Sequence, residues 1–197
     1  MASAKNTSEA VAQRPRRADA RRNREKLISA ARAAFNAAGA SASLEDIARR
    51  ADVGIGTLYR HFPTRKDLLE AVYVDEVEEI CRSAADLSDL PPWDALVAWL
   101  HRFVGFAATK RAISEELIAY IDRDAEFFRS CGGAVYDAGQ ALLERAQRAG
   151  AVRPDAEFRD IGKMVGGIAV IRNPEPGQVE RILDVALDGL RYRPPSG

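Results

Sequence analysis

Residues 44–62 hold side chains whose types and spacing carry one clear chemistry, the binding of a polyanion by a helix. Leu44, Ile47, Ala48 and Ala51 make the apolar face of a short helix, and residues 56–62 make a second. Ile47, Val53 and Leu58 are spaced to pack between them, with small Ala48 where the two must cross closely. This is helix-turn-helix spacing, which sets the second helix in a major groove about 12 Å wide. Asp52 takes the turn position, often a Gly in such motifs; Asp tolerates a left-handed backbone better than most residues. Upstream, Arg14, Arg16, Arg17, Arg21, Arg22 and Arg24 form a basic cluster, read either as a mobile arm or as a solvated tail.

Other chemistries find little support. The chain has only two His, no Gly-rich phosphate loop, no nucleophile elbow and no His-Glu-x-x-His, so no enzyme is expected. Cys81 and Cys131 lack a sequence-adjacent activator and fall on helical patterns as small hydrophobes. Two thiols build neither a disulfide framework nor a four-ligand zinc site, so neither metal nor cofactor is expected, and a reducing cytosol is the default.

The charge balance looks hostile to DNA at first, with 29 Lys plus Arg against 29 Asp plus Glu over 197 residues. The sum hides a split. Residues 1–70 carry fourteen basic and eight acidic side chains, or +6, and residues 71–197 carry fifteen and twenty-one, or −6. Opposite signs on two portions imply two surfaces with different tasks. There is no apolar run of the roughly 18 residues a membrane span needs, and no apolar stretch behind the basic N-terminus as a signal peptide requires. A cytoplasmic protein with no membrane partner is therefore expected.

The elements that must position the motif all read as helices. Leu27, Ile28, Ala31, Ala34, Phe35 and Ala38 share one face, and Gly39 stops that helix. Ser43 caps the next, with Asp46 three residues on, and Thr64 with Asp67 repeats the device for a fourth helix reaching about residue 84. Residues 94–109 are apolar almost all round, which places them inside a bundle, and 111–121 continue as helix. Residues 124–149 form another long helix, Pro154-Asp155 opens one carrying Ile161, Met164, Val165 and Ile168, and the last holds Ile182, Leu183, Ala186 and Leu187 in register. The fold class is all α, with about nine helices: a mobile arm over 1–22, a three-helix DNA-binding domain over 23–70, and a helical ligand-binding and dimerisation bundle over 71–197.

The segments Ser43-Leu44-Glu45-Asp46-Ile47-Ala48-Arg49-Arg50-Ala51 and Gly56-Thr57-Leu58-Tyr59-Arg60-His61-Phe62-Pro63 resemble the DNA-binding domain of the TetR family of repressors. The flanking Ala30 to Gly39 and Thr64-Arg65-Lys66-Asp67-Leu68-Leu69 match as well, so the resemblance spans about residues 24–72. It implies that Thr57, Tyr59 and His61 hydrogen-bond phosphates of a double-stranded operator and that Arg65 grips the same strand. Each carries a donor, as a phosphate oxygen requires. Arg49 and Arg50 would add backbone contacts. Bases would be read from the exposed face of residues 55–60, with Arg60 suited to guanine O6 and N7 and Ile55 or Thr57 to a thymine methyl. Gly54-Ile55 departs from the family's frequent Ser and polar residue. It weakens the helix cap and removes a base reader, so phosphate and shape readout should weigh more. Tyr59 and Phe62 also have a plainer reading as core aromatics.

Beyond residue 72 the resemblance rests on the number, length and order of helices. It implies a homodimer, with the last two helices of each subunit in a four-helix bundle and Gly166-Gly167 permitting close approach; the alternative is that both stripes face their own core. It also implies an effector pocket. Trp99, Phe103, Phe106, Tyr120, Phe128 and Met164 are the candidate lining for a largely apolar small molecule, with His101 or Tyr136 as polar anchors. For any one of these, ordinary core packing is the competing account. The expected function is a homodimeric repressor released from its operator by that ligand. The alternative is a helix-turn-helix regulator controlled by a protein partner, or an activator, with no small-molecule effector.

Overall fold

A computed structural model describes residues 3–122, 125–171 and 174–191, without the side chains of 3–17, 40 and 112. Among the described residues there are eight α-helices, one 3-10 turn and no strand beyond an isolated bridge between Val152 and Arg191. The chain divides into two compact units, Met1–Val72 and Tyr73–Gly197.

The first unit holds α1 (Ser3–Ala38), the 3-10 turn Gly39–Ser41, α2 (Leu44–Arg50), α3 (Ile55–His61) and the first two turns of α4 (Arg65–Ala85). Its core is the apolar face predicted from spacing: Leu27, Ala31 and Phe35 from α1, Ile47 from α2, Leu58 from α3, then Phe62, Leu68 and Leu69, all at most 3% exposed. Each of the larger side chains contributes about 1.5–3 kcal/mol by leaving water, and Ala31 less. The ends are set locally. Gly39 has φ +53°, which favours glycine and stops α1. The Ser43 hydroxyl accepts from the Asp46 N–H at 3.0 Å. Thr64 and Asp67 form a full reciprocal cap: the Thr64 N–H donates to Asp67 Oδ2 at 2.8 Å and the Asp67 N–H to Thr64 Oγ1 at 3.2 Å.

The stretch 1–22, expected as a basic arm, is helical from Ser3, so α1 is 36 residues long. The expectation for the side chains of Arg14, Arg16 and Arg17 lies outside the described residues.

The second unit takes the rest of α4 with α5 (Pro92–Leu117), α6 (Glu126–Arg148), α7 (Phe158–Ile168) and α8 (Gln178–Asp188). Helix α5 is its centre, burying Leu96, Trp99, Leu100, Ile113 and Leu117. The Trp99 indole N–H donates to the Ile80 carbonyl of α4 at 3.0 Å, which satisfies the one polar atom that a buried Trp brings. Trp99 stacks on Phe103 at 5.1 Å between centroids, and Phe158 of α7 meets both rings at 5.8 and 6.3 Å. Helix α7 begins at Phe158 rather than at Pro154-Asp155. The Arg153 guanidinium binds the Asp155 carboxylate through two 2.6 Å bonds, and the Gln147 amide donates to the carbonyls of Arg153 and Ala156. These bonds hold residues 153–156 as a turn. The expected single helical run over 94–121 is also shortened, because α5 ends at Leu117.

Candidate nucleic-acid interface and ligand cleft

Helix α3 has two sides. Leu58 is fully buried and anchors it, while Ile55, Gly56, Tyr59 and Arg60 are exposed, with Thr57 and His61 half-buried beside them. Tyr59 is 46% exposed and Ile55 38%, so neither is a core residue; Phe62, at 3%, is one. No carboxylate occurs between Ile55 and His61, so no charge on that helix repels a phosphate. Gly54 supplies no side-chain cap, and the first bonds of α3 run from Thr57 and Leu58 N–H to the Gly54 carbonyl. Asp52, at φ +56°, makes the left-handed turn between α2 and α3, and the Val53 N–H closes it onto the Ala48 carbonyl at 3.0 Å.

The flanking cations differ in what they already hold. Arg49 is exposed and paired with Asp46 one turn back, while Arg50 is exposed beside it. Arg65 is half-buried. Its guanidinium lies 5.1 Å from the Phe35 ring centroid and donates to the Ala42 carbonyl, bracing the link between α1 and α2. Arg24 lies similarly over Phe62 at 5.6 Å. The expectation for Arg65 saw its charge but missed this structural task, because the partners are 23 and 30 residues away in sequence.

In the second unit a cleft of 430 Å³ opens between Tyr73 on α4, Lys110, Arg111, Ser114 and Glu115 on α5, Ile118 just past its end, and Phe128 on α6. Of the six residues expected to line a pocket, Phe128 lines this cleft. Trp99 and Phe106 are buried, and Phe103 stacks between them. Tyr120 is exposed, and Met164 is half-buried on α7. His101 faces Asp184 of α8 at 3.1 Å, and Tyr136 packs edge-on against Phe158. The cleft is also less apolar than expected. Arg111 pairs with Glu115 at 2.7 Å, and the Lys110 ammonium lies 5.6 and 5.7 Å from the centroids of Tyr73 and Phe106. Burial pushes the Lys110 ammonium below the ordinary lysine range. Burial and, secondarily, Cys131 push the Tyr73 phenol far up, and burial raises the Cys131 and Cys81 thiols. Both cysteines are free, and protonated thiols are poor nucleophiles. A lone Lys in the apolar run of α5 was the available signal for this cleft.

A helix-turn-helix unit with an exposed, carboxylate-free second helix, followed by a separate helical unit, defines a DNA-binding transcriptional regulator. Residues 27–72 match the family described as bacterial regulatory proteins, tetR family, and residues 91–192 match the C-terminal domain of SbtR-like transcriptional regulators. A TetR transcriptional regulator from Streptomyces coelicolor is 39% identical with a TM-score of 0.78, over 87% of this chain and 99% of that one. The TetR regulatory protein of Mycobacterium vanbaalenii is 34% identical with a TM-score of 0.73, over 89% and 99%. A gamma-butyrolactone receptor, described as ArpA-like, shares the fold at 20% identity and a TM-score of 0.63, over 88% and 90%. The chain belongs to the TetR family of transcriptional regulators. No described helix is long and apolar enough to cross a membrane.

Proposed function

We propose that the protein is a homodimeric repressor that reads its operator through α3 and leaves it when a small molecule binds the second unit. The observation that carries this reading is the exposed face of α3, free of carboxylates and flanked by Arg49 and Arg50. Thr57, Tyr59 and His61 supply phosphate donors, and Arg60 reads guanine. Arg65 adds a phosphate contact on top of its bracing role. Ile55, exposed and without a donor, offers only methyl contact. The reading is of a cytoplasmic protein that needs no cofactor.

Dimerisation through α7 and α8 is supported by what those helices leave bare. A side chain at Gly166 or Gly167 would meet nothing within 4 Å, and Val185 on α8 is 76% exposed. Both helices are short, 11 residues each, and bury their opposite faces through Phe158, Ile161, Val165, Leu183 and Leu187.

Release follows as a population shift. A ligand that prefers a conformation with mismatched recognition helices lowers operator affinity by the ratio of its affinities for the two states. Helix α4 begins at Arg65 in the first unit and carries Tyr73 of the cleft, which makes it the natural lever. The filled aromatic cluster of Trp99, Phe103 and Phe158 favours a second reading, a regulator without a small-molecule effector; the open cleft beside Lys110 weighs against it. The test is to select operator duplexes from genomic fragments with the purified chain and titrate candidate ligands into the complex. Release of operator supports the repressor reading. A complex that no ligand dissociates supports the second.

A further inference from the structure

We propose that the cleft between α4, α5 and α6 takes a monocarboxylate with an aromatic or medium-length apolar body, its carboxylate held by Lys110. This deepens the effector reading above and rests on it for regulatory meaning, though not for binding itself. Three observations carry it. The cleft, at 430 Å³, lies in the usual range for small-molecule sites. Its walls are aromatic, with Tyr73 and Phe128 meeting edge to face at 5.4 Å between centroids. Its one cation without a carboxylate partner among the described residues is Lys110, whose ammonium is desolvated over the faces of Tyr73 and Phe106.

Ring faces offset part of the cost of removing an ammonium from water, and a carboxylate offsets far more. Arg111 stands at the same cleft but is already neutralised by Glu115. The cleft therefore presents one net positive charge, which matches a single carboxylate better than a phosphomonoester. The Ser114 hydroxyl donates to the Arg111 carbonyl at 3.0 Å and keeps lone pairs for a ligand hydroxyl or N–H.

Calorimetry on the full-length protein at neutral pH tests this with 2-naphthoate, indole-3-acetate and decanoate, each beside its neutral amide and one beside naphthyl phosphate. The expected result is that at least one acid binds about ten- to a hundredfold more tightly than its amide and its phosphate analogue. Lys110→Met should bring that acid to the level of its amide. Amides that bind as tightly as the acids, binding unchanged in Lys110→Met, or no binding by any acid would overturn the proposal. The operator gel shift separates the two claims. An acid that binds through Lys110 without releasing DNA supports the site and overturns the ligand-released repressor. Failure of every acid to bind, with operator still released by another candidate ligand, overturns the site and supports the ligand-released repressor.

Discussion

The ring of Phe158 occupies the space that a side chain on Gly139 would need. A Cβ at Gly139 would lie 2.0 Å from Phe158 Cζ, so α6 carries glycine because α7 delivers a ring onto its backbone. Phe158 also meets Trp99 and Phe103, and cannot withdraw without opening the aromatic cluster. Gly139→Ala should therefore destabilise the protein by about 1–3 kcal/mol through overpacking, despite alanine's better helix propensity. Urea unfolding of the two proteins measures it. Equal or greater stability in the variant would contradict this packing.

Asp52 predicts a ladder of stabilities at the helix-turn-helix turn. Its φ of +56° costs an ordinary L-residue about 1–2 kcal/mol, and Asp and Gly less. Asp52→Ala should be less stable than both wild type and Asp52→Gly, by about 1 kcal/mol in thermal unfolding. No ordering among the three would show that the turn is not held left-handed.

Arg65 should link folding to DNA binding, and Tyr59 should separate them. Arg65→Ala removes the contact with Phe35 and the bond to the Ala42 carbonyl, so it should lower the melting temperature as well as operator affinity. Tyr59→Phe removes only an exposed hydroxyl. It should leave stability unchanged, weaken binding and leave the salt slope of log K unchanged, because no charge is removed. Ile55→Ala should be nearly neutral, since the side chain has no donor. A base-specific loss at Ile55 would argue for direct readout there.

Gly167→Glu and Val185→Glu test the dimer. Both positions are open in the subunit, so the variants should fold as well as wild type. They should sediment as monomers at micromolar concentration where wild type is a dimer, and should lose operator affinity with it. A monomeric wild type would contradict the proposed interface.

What was legible in the sequence was what adjacent residues decide. Gly39, the Ser43 and Thr64 caps and the left-handed Asp52 follow from the preferences of single residues and partners three positions away. The buried face of α1 follows from period alone. The cleft was not legible for a corresponding reason. Tyr73, Lys110 and Phe128 come from three helices, and periodicity marks which residues turn inward without saying whether they close a void. Trp99 illustrates this, since it matched a pocket lining by type yet fills the core with its N–H bound to Ile80. Pro154-Asp155 suits both a helix start and a turn, and the structure has the turn at 153–156. The decision fell to Gln147, whose amide reaches the carbonyls of the turn from α6.

In the proposed mode of binding, α3 reads DNA through Arg60 and anchors it through the donors beside it. The most direct measurement is the affinity of wild type and Arg60→Ala for the selected operator and for duplexes altered one base pair at a time. The account predicts that Arg60→Ala folds normally and loses about 1–3 kcal/mol of discrimination at one guanine in each half-site, with the other positions unchanged. Discrimination that is unchanged at every position in Arg60→Ala would contradict it.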